Sequence, residues 1–138
     1  MLLWAIASFG LHWLMPLQLP LDDHAVGIGR VLTVAAGALL VWAQHCLREH
    51  KTTADHSRPS TQLVTAGPYR YSRNPIYLAM IGVFLGLALV FRNGWAVIMI
   101  VPFVVAVGRL TIDREERYLH RLFGEEYARY KRRVRRWV

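Results

Sequence analysis

Long apolar runs alternate with compact polar clusters along this chain. No Asp, Glu, Lys or Arg occurs in Met1–Leu21, Val31–Leu47, Asn74–Phe91 or Asn93–Gly108. A helix needs roughly 20 mostly apolar residues, and about 17 at the least, to cross about 30 Å of hydrocarbon. The first run meets that length, with Pro16 and Pro20 closing its helix early. The second meets it when its helix starts near Ala25 and Arg30 extends its charge to the near surface. The third and fourth become long enough when Arg92 and Arg109 reach outward to the interfaces. The pattern predicts an all-α, polytopic membrane protein with four transmembrane helices, about 1–16, 25–47, 75–91 and 94–112, plus a C-terminal amphipathic helix, in a single domain 1–138. A soluble helical bundle is the competing reading, but its outward faces should carry polar residues that these runs lack. A cleaved leader is disfavoured too, since no basic stretch precedes the first run and no small-residue cleavage site follows it.

The polar clusters predict where the helices start and stop. Asn74 followed by Pro75 marks the start of the third helix, because Asn can accept from free first-turn amides and Pro has no amide to leave unsatisfied. Lys51–Thr65, rich in Thr and Ser and containing Pro59, reads as a loop. Gly82 and Gly86 form a small-xxx-small pair that would let another helix approach closely. Pro102 should kink the fourth helix. Beyond Arg109, Leu119, Phe123, Tyr127, Tyr130, Val134 and Trp137 recur at spacings of three and four among Arg and Lys, which predicts a basic amphipathic helix broken near Gly124.

Charge gives this arrangement a direction. The chain is 54% hydrophobic in residue type yet carries a net charge of +8 and a pI near 10.4. Of its 17 Lys and Arg, five lie in Arg48–Arg73 and ten from Arg109 onward, whereas the connection between the first two helices carries Asp22 and Asp23. The positive-inside rule therefore places the loop 48–74, the tail 113–138 and, by parity, the N-terminus in the cytoplasm, with the protein in a bacterial-type inner or plasma membrane. Nucleic acid is not an expected partner, since the basic tail has no nucleic-acid motif and topology accounts for its charge. Cys46 is the single cysteine, so no intrachain disulfide forms. His45, His50 and His56 lie near it without the spacing of an established zinc site, and no metal is expected.

Three polar groups should converge on one face: "LVTAGPYRYSRNPIY" at the mouth of the third helix, "DREER" where the fourth emerges, and "FGEEYARY" beyond. An interfacial belt of Tyr and Arg would explain their composition. Their order and joint spacing carry more. Leu63–Tyr77, Glu115-Glu116, Leu119, Phe123-Gly124, Tyr127 and Tyr130 resemble the family of isoprenylcysteine carboxyl methyltransferases and the related phosphatidylethanolamine methyltransferases, over about Gln62 to Val134.

The resemblance implies S-adenosylmethionine as cofactor, bound at the cytoplasmic ends of the last helices. It implies contacts from Gln62, Leu63, Val64, Tyr69, Asn74, Pro75, Ile76, Tyr77 and Glu115, and we expect Arg73 to take the cofactor's carboxylate. One departure stands out: the family's usual His before Pro75 is Asn74, which cannot titrate near neutral pH. Adjacent helical residues diverge by about 100°, so Glu115 is assigned to the cofactor, while Glu116 pairs with Arg109 or Arg114 or faces substrate. Glu116 or Tyr77 is the candidate base should the acceptor be an amine or phenol, and Arg109 is the candidate reader of an acidic acceptor. Substrate should be a lipophilic or lipid-linked molecule from the bilayer, received between helices bearing Trp4, Phe9, Trp13 and Trp42. A nicotinamide-dependent reductase of the sterol reductase type and a non-enzymatic membrane scaffold are the alternatives. Oligomeric state is left open.

Overall fold

The computed structural model describes residues 2–49 and 62–138; His50, His56 and most of the expected loop Lys51–Thr65 lie outside the described residues. The described chain is all-helical. α1 covers Leu2–Leu14 and α2 Asp23–Glu49; a 3₁₀ turn at Gly67–Arg70 precedes α3, Pro75–Val90, and α4 follows at Gly94–Ala106. A π-helical segment, Val107–Ile112, then joins α4 to α5, Asp113–Arg133, and α5 is kinked at Gly124, whose φ of 49° and ψ of −121° are not helical.

Two of these helices, α2 and the joined α4–α5 run Gly94–Arg133, are long and apolar enough to cross a membrane, while α1 and α3 are shorter. At 13 and 16 residues they rise about 20 and 24 Å, less than the four-span expectation supposed. Pro16 accounts for the early end of α1, whose last backbone bond runs from Met15 N–H to the Leu11 carbonyl. α2 is longer than expected at both ends. Asp22 Oδ1 accepts from the Ala25 amide at 2.9 Å, satisfying one of the donors at its start. Ile28, Val31, Val34 and Val41 stand 64–73% exposed along α2, an apolar stripe that suits lipid and not water.

Small residues set the closest helix contact. A Cβ on Gly29 would lie 2.8 Å from Leu89 Cβ, one on Gly82 would lie 2.8 Å from Ala36 Cβ, and one on Gly86 would strike Thr33 Oγ1 and the Gly29 carbonyl. The Gly82/Gly86 face thus packs α3 onto α2 as its spacing predicts. On the other side of α3, Phe84 meets Phe103 of α4 edge-on at 6.0 Å, and Phe103 meets Trp4 of α1 at 6.2 Å. Asn93, fully buried, accepts from the Ala96 amide to cap α4 and donates to the Ser8 carbonyl of α1.

These contacts fix two rims. At one, Arg92 pairs with Asp23 at 3.0 Å, and the Arg92 carbonyl accepts from the Leu19 amide. At the other, the end of α2, the 3₁₀ turn and the start of α3 share an apolar cluster around Ala43, Cys46, Val64 and Tyr69, and α5 joins it through Tyr130.

Candidate functional site

Gly67 starts the second rim with a left-handed φ of +56°, and a Cβ there would lie 2.7 Å from Cys46 Sγ. The 3₁₀ turn it opens is laid flat on the last turns of α2, which buries Val64, Pro68 and Tyr69. Ile76 packs against the same cluster. Tyr69 offers its carbonyl to the Tyr130 hydroxyl at 2.7 Å, so α5 is tied directly to the turn. Burial raises the Tyr69 phenol pKa, and the nearby Glu115 carboxylate raises it further; burial likewise raises that of Tyr130.

Pro75 occupies the first position of α3, as expected, but Asn74 does not cap the helix with its side chain. Its Nδ2 donates instead to the Arg136 carbonyl at 3.0 Å, while its own amide donates to Ser72 Oγ at 3.1 Å. The segment after α5 lies across this corner and presents the Arg136 carbonyl to the Asn74 side-chain amide nitrogen. Asn74 is therefore a tie between elements.

The two neighbouring glutamates straddle the mouth of α3. Glu115 accepts from the Tyr77 hydroxyl at 3.4 Å. Glu116 accepts from Arg73 Nη1 at 2.8 Å and from Arg136 through Nε at 3.1 Å and Nη2 at 2.9 Å, with Lys131 Nζ at 3.6 Å. Arg73 lies just before α3 and Tyr77 in its first turn, so side chains diverging from adjacent positions on α5 both find partners there. Tyr127 joins this group: burial raises its phenol pKa, Glu116 adds to that, and Arg73 opposes it.

The pairing of Glu116 differs from expectation. Glu116 pairs with Arg73, Arg136 and Lys131, not with Arg109 or Arg114. With both oxygens paired and its side chain only 9% exposed, Glu116 holds the rim together. Arg109 lies on the π segment, exposed, with no ion pair among the described residues.

Tyr69, Val64, Arg73, Asn74, Pro75, Ile76, Tyr77 and Glu115 thus share one rim. Gln62 is exposed at its edge, and Leu63 lines an adjoining cleft of about 450 Å³ with Thr65, Arg70, Glu126, Arg129, Tyr130, Arg133 and Val134. Sequence reasoning gave no role to Lys131 and Arg136, because a run of basic residues does not reveal which of them turns inward.

The chemistry of this donor set fits the implied cofactor. Glu115 and the phenols of Tyr69 and Tyr77 offer acceptors for an ammonium or ribose hydroxyls, and aromatic faces suit a sulfonium. Arg73 Nε is buried without a partner, a donor that an anionic ligand group could satisfy.

A helical membrane protein with a polar rim of Tyr, Arg and Glu at the mouth of a helix is the class that this geometry defines. Residues 24–126 match the phospholipid methyltransferase family, and the chain belongs to it. Its activity is accordingly methyl transfer at a membrane. A Haemophilus influenzae protein described only as uncharacterized is similar, 38% identical over 63 residues that make up 46% of this chain and all of that one. No solved structure matches.

Proposed function

We propose that this protein is an integral membrane methyltransferase that uses S-adenosylmethionine and methylates a lipophilic or lipid-linked acceptor entering from the bilayer, a carboxylate being the simplest case. The observation that carries this is the meeting of Tyr69, Tyr77 and Glu115 at one rim within the segment that matches the family. The cofactor would supply an activated methyl group. Glu115 and Tyr77 would hold its polar end, Tyr69 and Val64 would wall its ring, and the buried Nε–H of Arg73 would meet its carboxylate. Positioning alone contributes on the order of 7–11 kcal/mol when an acceptor is held in line, so a carboxylate acceptor needs no base. An amine or phenol acceptor would lose its proton to the Tyr77–Glu115 pair. Arg109, exposed where the helix leaves the apolar zone, would face an acidic acceptor.

The four-crossing topology belongs to the same proposal. α3 begins beside the end of α2 and ends beside its start, where Arg92 meets Asp23. If α2 and α4 cross, α3 must carry the chain back between them, with interfacial side chains covering its shortfall in length. The basic rim then faces the cytoplasm of a bacterial inner or plasma membrane.

Isothermal titration of the detergent-purified chain with S-adenosylhomocysteine tests the cofactor. Saturable heat is expected with it and none with NADPH, and Glu115→Gln should weaken binding about tenfold, as the loss of one charged hydrogen bond implies. Heat with NADPH alone would replace this reading with the reductase; heat with neither would leave the scaffold.

A further inference from the structure

Resting on that reading, we infer that Arg136 is a positioning residue for the methyl-transfer site, fixing the distance between the start of α3 and the start of α5 and so holding Tyr77 against Glu115. α5 ends at Arg133, and Val134 is extended, with φ −121° and ψ 129°. Beyond it the backbone runs along the corner before α3. The Arg135 carbonyl accepts from the Arg73 amide at 3.0 Å, and the Arg136 carbonyl accepts from Asn74 Nδ2 at 3.0 Å and Ser72 Oγ at 3.3 Å. Three consecutive residues on the α3 side are thereby tied to two consecutive carbonyls.

The side chain of the same residue reaches the other wall. Its Nε and Nη2 form a two-pronged pair with Glu116, and Nη1 meets Asp113 Oδ1 at 3.0 Å. All three guanidinium nitrogens are committed, and the hydrogen bonds to Glu116 raise its pKa above that of an ordinary arginine. No other arginine of the run from Arg129 makes an ion pair among the described residues.

The contact that depends on this spacing is a long one. Tyr77 meets Glu115 at 3.4 Å, near the outer limit for a hydrogen bond between oxygens, so a small separation of the walls breaks it. Arg73 and Lys131 would still balance Glu116 if Arg136 were removed. The fold should therefore survive while the geometry slackens. Lysine at this position would restore charge but not the fork, because its three donors leave from a single nitrogen.

The experiment pairs titration with S-adenosylhomocysteine and thermal unfolding, on the full chain in detergent. Arg136→Ala should weaken binding about tenfold, a coupling ordinary for residues in one network. Arg136→Lys should melt like the wild type yet bind as weakly as the alanine variant. Wild-type affinity in either variant, or affinity and melting temperature recovered together by lysine, would overturn the inference and make Arg136 a purely structural clasp. Should the alanine variant fail to fold, the lysine variant decides alone. A wild-type chain that binds no S-adenosylhomocysteine would overturn the cofactor reading, and this inference with it.

Discussion

The hydroxyl of Tyr130 donates to the carbonyl of Tyr69, and both phenols hold their protons more tightly here than in the unfolded chain. Burial is the first cause for each. The sign follows directly: a proton held more tightly when folded adds stability that is complete below the unfolded tyrosine pKa, about 10, and is lost as the pH rises beyond it. Melting temperature in detergent should thus decline from about pH 10 upward. Tyr130→Phe should cost about 1 kcal/mol near neutral pH, through the lost hydrogen bond, and should shallow the alkaline decline. An unchanged alkaline slope in that variant would mean that Tyr130 is not among the groups responsible. At this scale the sequence spoke unevenly. Tyr77 and Glu115, or Arg73 and Glu116, could be brought to one place by their spacing, but the partner of each could not be known. Asn74 shows why: its residue type suits a cap, yet a carbonyl from a distant segment competes for the same side chain and wins.

Among the elements, α2 and α3 make the most intimate pair, and their contact rests on absent side chains. Gly86→Ala drives a Cβ into Thr33 Oγ1 and the Gly29 carbonyl, and a backbone oxygen cannot move aside. The helices must separate, at a cost of about 1–3 kcal/mol, as for other overpacked sites. Gly37 is the matched control, on α2 with open space around its would-be Cβ; Gly37→Ala should be neutral or slightly stabilising, as helix propensity dictates. Equal melting temperatures for the two variants would refute the packing. The Gly82/Gly86 spacing was readable because small residues at four-residue intervals line one helix face; their partner Gly29 was not, since several small residues of α2 could have met them. The break at Gly124 was readable too, and its φ of 49° with ψ of −121° is backbone that only glycine adopts at little cost. The π segment was not, for it changes the hydrogen-bond register without disturbing the apolar pattern on which the helix assignment rests.

At the scale of the molecule, the two rims differ in charge as they differ in purpose. One carries Asp22, Asp23 and a single paired Arg92; the other gathers Arg73, Lys131 and Arg136 around Glu116, with Arg70, Arg129 and Arg133 on the adjoining cleft. Such asymmetry is what orients helices during insertion, because basic side chains resist transfer across the membrane. It was legible from the sequence before any helix was placed. The lengths of α1 and α3 were not, because they depend on how Pro16 and the turn at Arg92 end their helices. Single cysteines in a Cys46→Ala background test the outcome. Gln18→Cys, near the acidic rim, should react with a membrane-impermeant maleimide added outside intact cells, whereas Arg132→Cys, exposed beyond the basic rim, should react only after the membrane is opened. If both react from outside, α3 does not return the chain across the bilayer as proposed. If their order is reversed, the basic rim faces outward, where a cytoplasmic supply of S-adenosylmethionine could not reach Tyr77 and Glu115.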